Sequence, residues 1–238
     1  MVASESAVDW DAYARAKTFD QDRATLPHHR APGVFFQRWF GALPRSSKIL
    51  EIGCGSGYHL DRLREAGFSH VRGIDISEAF VALCKQKGLD VARESAYDVS
   101  PNTFGERFDV VILHDVIEHL ERIDSALSRA FDLLLPGGRV YIVVPVYDSW
   151  LKRIERRVFG QSKLWQAAQQ DATHVQALSR PILDRFLRSA GFAPELYRFL
   201  FNPWPVPARM RSFNDARLAR FTFGGRFGDL LVAIARRP

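Results

Sequence analysis

A seven-residue segment after a short apolar run constrains the fold of this chain most. Residues 51–57 read Glu-Ile-Gly-Cys-Gly-Ser-Gly, with glycine at Gly53, Gly55 and Gly57. Glycine lacks the Cβ atom that would keep a ligand away from the backbone, and the first turn of a following helix has unpaired N–H groups. The segment therefore predicts a strand, a tight turn and a helix that let a ligand come very close to the backbone.

The spacing of these glycines weakens the interpretation as a nicotinamide dinucleotide site. The dinucleotide fingerprint needs its third glycine one position after Gly57, where this chain has Tyr58. Asp75 ends the next predicted strand, 22 residues after Gly53, and an acidic side chain there can accept hydrogen bonds from both hydroxyls of a ribose. We therefore expect a ligand that contains a ribose.

Strand and helix signals alternate along the middle of the chain. Buried strands are predicted over 47–52, 70–74, 89–92, 108–113 and 139–145, and helices over 58–66, from the N-cap Ser77 to Gly88, and over 123–135. Repeated units of this kind form a parallel sheet with helices on both faces. Because ligands of such α/β sheets bind at the carboxyl ends of the strands, the functional residues are expected there.

The composition is that of an ordinary globular protein in a reducing compartment. Hydrophobic residues make up 47% of the 238 residues and charged residues 25%, which excludes a disordered or fibrous chain. The two cysteines, Cys54 and Cys84, are too few for a disulfide framework or a thiolate zinc site. The first 25 residues hold five carboxylates and no apolar run, unlike a signal peptide, and no stretch suits a transmembrane segment. We expect a cytoplasmic protein.

Positive charge is concentrated in the C-terminal part of the chain. The net charge is +6, and residues 151–238 hold 16 Lys and Arg against 6 Asp and Glu. Such asymmetry can mark a surface for nucleic acid, phosphorylated substrates or anionic lipid, but arginines spread over solvated helix faces produce the same count. The chain has no tight Lys/Arg run, so there is no strong nucleic-acid signal.

Five motifs follow one another along the chain: ILEIGCGSG at 49–57, GIDIS at 73–77, FDVVILHDVIEHL at 108–120, LLLPGG at 133–138 and SAGF at 189–192. Together they resemble the class I S-adenosylmethionine-dependent methyltransferases, particularly the small-molecule group that includes ubiquinone-biosynthesis O-methyltransferases. The likeness is strong over 45–145 and weaker elsewhere. It implies a Rossmann-like, seven-stranded, mostly parallel sheet with an antiparallel last strand, for which 230–235 is suited.

The resemblance also implies a cofactor, S-adenosylmethionine, and the residues that bind it. The three loop glycines would line its methionyl part, Glu51 would support its amino group, and Asp75 would hold its ribose. The segment after the third strand would contact the adenine. The full expected binding set is Glu51, Gly53, Cys54, Gly55, Gly57, Asp75, Ile76, Ser95, Ala96, Tyr97 and His114.

The segment after the fourth strand could carry further chemistry. An oxygen acceptor can require a base, and His119 and His174 are the catalytic candidates, with the carboxylates Asp115 and Glu118 beside them. Some relatives use a similar Glu/Glu/His group for a divalent metal. We expect no metal here and a supporting role for His119; a divalent ion completed by His174 is the alternative.

The chain is expected to have two parts. Residues 1–44 form an N-terminal helical cap with aromatic side chains, including Phe36 and Phe40, suited to lie across the cofactor cleft. Residues 45–238 form the methyltransferase domain, with a lid-like insertion at about 149–178 that begins with a basic amphipathic helix. That helix could instead contact a membrane surface or another subunit.

The function favoured by the sequence is methyl transfer to a small-molecule acceptor, with O-methylation preferred. Methylation of RNA or another acidic polymer and a non-catalytic module that binds S-adenosylmethionine are the alternatives. A small-molecule acceptor is the expected partner, and we expect a monomer or a homodimer.

Overall fold

Seven strands form one mixed sheet in the computed structural model, which describes residues 8–16, 27–146, 173, 175–200 and 230–238. The strands are β1 Lys48–Ile52, β2 His70–Asp75, β3 Asp90–Arg93, β4 Phe108–His114, β5 Leu134–Pro145, β6 Ala193–Leu200 and β7 Leu230–Arg236. Their order is β3-β2-β1-β4-β5-β7-β6. The first five strands run parallel, and β7 is antiparallel to both β5 and β6. The predicted fold class is confirmed.

Helices lie against this sheet. They are α1 Trp10–Ala16, α2 Pro27–Gly41, α3 Tyr58–Glu65, α4 Glu78–Gln86, α5 Pro101–Phe104, α6 Ile123–Leu133 and α7 Arg180–Ser189, with a 3-10 turn at Ile117–His119. Ser77 caps α4 as predicted, because its hydroxyl accepts a hydrogen bond from the amide of Phe80 at 3.3 Å. None of the helices that the structure describes is long and apolar enough to cross a membrane.

Both faces of the central strands are buried. Val111 and Leu113 of β4 belong to an apolar cluster with α6 and α7, whereas Val110 and Ile112 belong to a second cluster with α2. Successive side chains of a strand point to opposite faces, so a continuous apolar run fills both clusters at once. The apolar run at residues 110–113 of this strand has this cause.

The aromatic face of α2 packs on the sheet. Phe36 and Phe40 are only 4% and 2% exposed, and their rings lie 5.7 and 5.3 Å from the ring of Tyr141 on β5. These two side chains therefore belong to the core, because an apolar helix stripe is buried against an apolar sheet face. The division into a cap at 1–44 and a domain at 45–238 stays a prediction. Most of the expected insertion at 149–178 lies outside the described residues.

The largest difference from the predicted boundaries lies between α6 and β5. Helix α6 ends at Leu133, and β5 begins at Leu134 instead of residue 139. The Pro-Gly-Gly segment that ends the helix also joins the sheet, since the Gly137 amide donates to the carbonyl of Arg237 at 2.9 Å and the Arg237 amide donates to that of Gly138 at 2.8 Å. This pairing involves the distant end of the chain, which local periodicity does not reveal.

The strand order reverses between β1 and β4. Strands β2 and β3 lie on one side of β1, and β4 and β5 lie on the other. Helices that cross over on opposite faces leave a crevice at such a switch point, outside the carboxyl ends of the strands. The candidate residues after β1, β2 and β4 therefore meet at one edge of the sheet.

Candidate functional site

The loop after β1 has the backbone that its glycines predict. Gly53, Gly55 and Gly57 have φ angles of 70°, 51° and 79°, in the left-handed region that side chains with a Cβ disfavour. The amides of Gly53 and Cys54 both donate to the carbonyl of Ile74, at 2.8 and 2.9 Å. These two bonds fasten the loop to the end of β2.

The three glycines differ in what surrounds them. A Cβ atom at Gly53 would lie 2.6 Å from Val116, and one at Gly57 would lie 2.5 Å from Leu89, whereas one at Gly55 would meet nothing within 4 Å. Gly53 and Gly57 are therefore required by packing inside the protein. Gly55 presents bare backbone to open space, where a ligand can approach closely.

Asp75 is held at the carboxyl end of β2 by backbone amides. Its Oδ2 accepts from the Gly55 amide at 2.7 Å, and its Oδ1 accepts from the Ser77 amide at 2.9 Å. Burial raises the pKa of the Asp75 carboxyl, the two amides act in the opposite direction, and the carboxyls of Glu51 and Asp11 raise it further. Each carboxylate oxygen has about two acceptor directions, so Asp75 can still accept from a ligand hydroxyl.

Helix α1 is attached to the same end of the cleft. The Asp11 carboxylate accepts from the Ser77 hydroxyl at 2.6 Å and from the Ala79 amide at 3.2 Å. These two bonds lower the pKa of Asp11. A carboxylate in this position also interacts favourably with the N-terminus of α4. Local sequence signals did not predict this contact, because the bonded residues are 66 positions apart.

Four ionisable side chains lie in a row at the ends of β1 and β4. Glu51, which is 2% exposed, meets Nδ1 of His59 through its Oε1 at 2.7 Å. The rings of His59 and His114 are 4.3 Å apart, and Nδ1 of His114 is 3.3 Å from Oδ2 of Asp115. The ring of Phe36 stacks on His59 at 4.9 Å. His59 was missed in the sequence, where only its position just after the glycine loop could have indicated it.

His119, one of the two catalytic candidates, contacts Thr173, which lies near the end of the expected insertion. Its Nδ1 lies 3.1 Å from the carbonyl oxygen and 3.0 Å from the hydroxyl of Thr173. The ring of Trp10 meets its ring edge-on at 5.5 Å. The catalytic role of His119 stays a prediction. The second candidate, His174, lies outside the described residues.

The segment after β3 adjoins Asp75. The amide of Glu94 donates to the Asp75 carbonyl at 3.1 Å, and the Ser95 hydroxyl accepts from the Tyr97 amide at 3.1 Å. The Tyr97 hydroxyl accepts from the amides of Glu121 and Arg122, at 3.0 and 3.4 Å. The side chain of Tyr97 thereby holds the segment that follows the 3-10 turn. The expected contact of Tyr97 with the adenine stays a prediction.

Three other expected contact residues, Cys54, Ala96 and Ile76, make contacts within the protein. Cys54 is buried, and the neighbouring Cys84 thiol together with burial raises the pKa of its thiol. Ala96 packs against the larger apolar cluster. The carbonyl of Ile76 accepts from Nε of Arg93 at 3.2 Å. A ligand would meet Cys54 through its backbone, as the loop geometry requires.

The described residues contain no group of three His, Cys, Asp or Glu side chains arranged to hold a metal ion. Asp115 and His119 are among the described residues, but His174, which could complete a site with them, is not.

Sequence comparisons identify relatives of this chain. A family model described as a methyltransferase domain matches residues 26–196. A ubiquinone biosynthesis O-methyltransferase of Chelativorans sp. is 28% identical over 165 residues, which cover 64% of this chain and 63% of that protein. The protein of the same name from Xanthomonas axonopodis pv. citri is 24% identical over 224 residues, which cover 89% of this chain and 90% of that protein.

Solved structures share the fold. The N-methyltransferase NodS of Bradyrhizobium japonicum, in complex with S-adenosyl-L-homocysteine, has a TM-score of 0.63 at 17% identity, over 96% of this chain and 98% of that chain. The magnesium protoporphyrin IX methyltransferase of Synechocystis, with bound S-adenosylhomocysteine, has a TM-score of 0.61 at 17% identity, over 96% of this chain and 94% of that chain. The chain belongs to the methyltransferase domain family and has the fold of the S-adenosylmethionine-dependent methyltransferases.

Proposed function

We propose that this protein binds S-adenosylmethionine at the carboxyl ends of β1, β2 and β4 and transfers its methyl group to an oxygen of a small molecule. One observation carries the cofactor assignment. The carboxylate of Asp75 is fixed by the amides of Gly55 and Ser77, directly beside the bare backbone of Gly55. A nucleoside can come close to the loop there while its ribose hydroxyls donate to Asp75.

The other expected contacts follow from this placement. The loop Gly53, Cys54, Gly55 and Gly57 would receive the methionyl part, with Glu51 accepting from its ammonium group. The adenine would lie along Ile76 and the Ser95–Ala96–Tyr97 segment, and His114 would stand beside the amino acid end.

The chemistry of the reaction divides between cofactor and protein. S-adenosylmethionine supplies a methyl group on a sulfonium, which is already a good leaving group. The protein contributes by holding the acceptor in line with the bond that breaks. A hydroxyl acceptor must also lose a proton, and imidazole and carboxylate groups are suited to take one near neutral pH. Such groups lie together at the end of β4, which supports an oxygen acceptor, as do the names of the relatives.

The arginines of the described C-terminal region favour a small acceptor over RNA. Arg188 donates to Asp184 at 2.8 Å, Arg236 lies 3.2 Å from Glu195, and Arg237 donates to the carbonyl of Leu134 at 2.7 Å. Arg188 and Arg236 are paired with carboxylates and Arg237 with a backbone carbonyl, whereas binding of a polyanion needs cations available for phosphates. A cytoplasmic location and a monomeric or homodimeric state stay predictions.

Calorimetry tests the cofactor assignment. Wild-type protein is titrated with S-adenosylmethionine and S-adenosylhomocysteine, beside Asp75→Ala and the control Asp132→Ala, whose side chain is exposed on α6. We expect Asp75→Ala to weaken binding by about 10- to 100-fold, because hydrogen bonds to a charged group contribute roughly 1.5–3 kcal/mol. The control should bind like the wild type. Absence of wild-type binding to both compounds, or equal binding by both variants, would refute the assignment.

Transfer from methyl-labelled S-adenosylmethionine to a panel of phenols and aliphatic alcohols tests the acceptor class. We expect turnover with at least one hydroxyl compound, unchanged by a chelator. Transfer only to amines or to RNA would contradict O-methylation.

A further inference from the structure

The glycine loop contains a β-turn that its own backbone closes. The Gly57 amide donates to the Cys54 carbonyl at 2.9 Å, which is the bond from first to fourth residue that is typical of such a turn. Gly55, the second residue of the turn, has a φ of 51°, which favours glycine at this position. The peptide groups on the two sides of Ser56 therefore decide which carbonyls and amides the turn directs outwards.

Helix α4 holds two successive carbonyls of this turn. The Cys84 thiol donates to the carbonyl of Gly55 at 3.2 Å. Nζ of Lys87, which caps the C-terminus of α4, donates to the carbonyl of Ser56 at 2.7 Å. Cys84 and Lys87 are three positions apart, so both reach the loop from one face of the helix. A thiol is a weak donor and an ammonium group a strong one, so Lys87 makes the stronger of the two contacts.

The direction of these carbonyls sets the direction of the amides that follow them. A peptide group is planar and trans, so its N–H points opposite to its C=O. The amides of Ser56 and Gly57 therefore point away from the side chains of α4. The Gly57 amide closes the turn, whereas among the residues that the structure describes none accepts from the Ser56 amide. The Ser56 amide is thus a donor that the loop can offer to a ligand.

Contacts with α3 place the ammonium group of Lys87. Oδ2 of Asp61, in the first turn of α3, lies 3.4 Å from Nζ of Lys87, and Arg64 donates to Oδ1 of Asp61 at 3.0 Å. Arg64 also donates to the backbone carbonyls of Lys87 and Gly88, at 3.2 and 3.4 Å. The C-terminal end of α4 is therefore joined to α3, and the Lys87 side chain extends from this junction to the glycine loop.

The peptide between Ser56 and Gly57 needs such a contact to keep one orientation. Glycine adopts positive and negative φ about equally well, so the φ of Gly57 alone does not prevent this peptide from rotating. A rotation would turn the Gly57 amide away from the Cys54 carbonyl and open the turn. A site that is closed for only part of the time binds with an apparent affinity reduced by the closed fraction.

We propose that Lys87 is a positioning residue of the cofactor site. Its ammonium group holds the Ser56 carbonyl toward α4, which keeps the turn closed and leaves the Ser56 amide for the amino acid part of S-adenosylmethionine. The inference rests on the proposed cofactor placement, in which the loop receives the methionyl part, whose carboxylate can accept from an amide. Lys87 is bonded to the loop and paired with Asp61, so it acts through the backbone and not by contact with the ligand.

Calorimetry of two lysine variants tests this role. Lys87→Met removes the donor and keeps an unbranched side chain, and the control Lys85→Met removes the same charge from an exposed position of α4. We expect Lys87→Met to weaken binding of S-adenosylhomocysteine about tenfold, because the closed fraction of the loop falls. Lys85→Met should bind like the wild type. Both variants should fold, since ion pairs near the surface contribute little to stability, and urea denaturation checks this.

Two further ligands distinguish loop shape from other effects of the lysine. S-adenosylmethionine carries one positive charge more than S-adenosylhomocysteine, so a direct effect of the Lys87 charge would change the two affinities differently. A role in loop shape predicts the same loss for both compounds, and unequal losses would refute it. Methylthioadenosine keeps the nucleoside and the sulfur but lacks the amino acid. Its affinity, measured by displacement of S-adenosylhomocysteine, should change by less than about twofold in Lys87→Met.

Three further results would overturn the proposal. Unchanged binding of S-adenosylhomocysteine in Lys87→Met would show that the loop keeps its shape without this bond. An equal loss for methylthioadenosine would indicate that the whole site has loosened, and an equal loss in Lys85→Met would indicate an effect of net charge alone. Wild-type protein that binds none of the three compounds would refute the proposed cofactor, and the role of Lys87 with it. Wild-type binding that Lys87→Met leaves unchanged refutes the role of Lys87 alone.

Discussion

The two ends of the candidate cleft are built from different kinds of interaction. At the end of β2, backbone amides of Gly55 and Ser77 hold the carboxylate of Asp75. At the end of β4, side chains hold one another, from Glu51 through His59 to His114. Backbone amides do not titrate, so the hydrogen-bond donors at the first end are the same at every pH. The second end is built from ionisable side chains alone.

The largest expected effect tests whether the loop at the first end needs glycine at position 57, both for its positive φ and for its packing. Gly57→Ala places a Cβ at a φ of 79°, 2.5 Å from Leu89 and 2.9 Å from Cys84. We expect a loss of about 2–4 kcal/mol in the free energy of unfolding, from left-handed strain and overpacking together. Gly105→Ala is the control, with a φ of 71° and no neighbour within 4 Å; it should lose about 1–2 kcal/mol. Urea denaturation measures both, and equal losses would contradict the packing argument.

Gly55→Ala tests binding at the same end. Its Cβ would meet no protein atom within 4 Å, so the stability loss should match that of Gly105→Ala. The added methyl group would occupy the space proposed for the cofactor. We therefore expect about tenfold weaker binding of S-adenosylhomocysteine in calorimetry, or roughly 1.4 kcal/mol. Unchanged affinity would place the cofactor elsewhere.

The pH dependence of cofactor binding tests the first end. Burial raises the pKa of Asp75 above its ordinary value of 3.8, so this carboxyl takes up a proton at a higher pH than an exposed aspartate. Binding that needs the carboxylate is complete above the raised pKa and weakens as the pH falls through it, by about tenfold per unit at most. Calorimetry with S-adenosylhomocysteine should show this loss in wild-type protein and not in Asp75→Asn.

The smallest effect concerns the attachment of α1. Asp11→Asn removes the charge that accepts from Ser77 and Ala79, and α1 should open more often. Amide hydrogen exchange within α1 should become a few-fold faster while the global unfolding transition stays the same. Asp124→Asn, in the first turn of α6, changes a similar helix position without contacting α1 and should leave this exchange as it is. Unaltered exchange in Asp11→Asn would show that other contacts hold the helix.

Some elements were predictable because their signals are local. The second strand was predicted over 70–74 and is His70–Asp75, and the fourth was predicted over 108–113 and is Phe108–His114. Residues 110–113 of β4 form a continuous apolar run, as a strand buried on both faces requires, and Ser77 caps a helix through the amide of Phe80, three positions along the chain. Strand β6 was not located in the sequence. It is an edge strand and is mostly half-buried, so its residues need not form an apolar run.

By itself, the sequence predicted the glycine loop and the acidic residue at the proposed cofactor end of the site. A loop with left-handed φ angles at three positions requires glycine, and an acid at the end of the next strand is placed by the same short unit of structure. Only the tertiary structure decided which side chains meet across the crevice. Asp11 reaches Ser77, and His59 packs on His114, because the chain brings distant segments to one sheet edge. Hydrophobic periodicity reports on residues that are close in the sequence, whereas the strand order decides which distant residues come into contact.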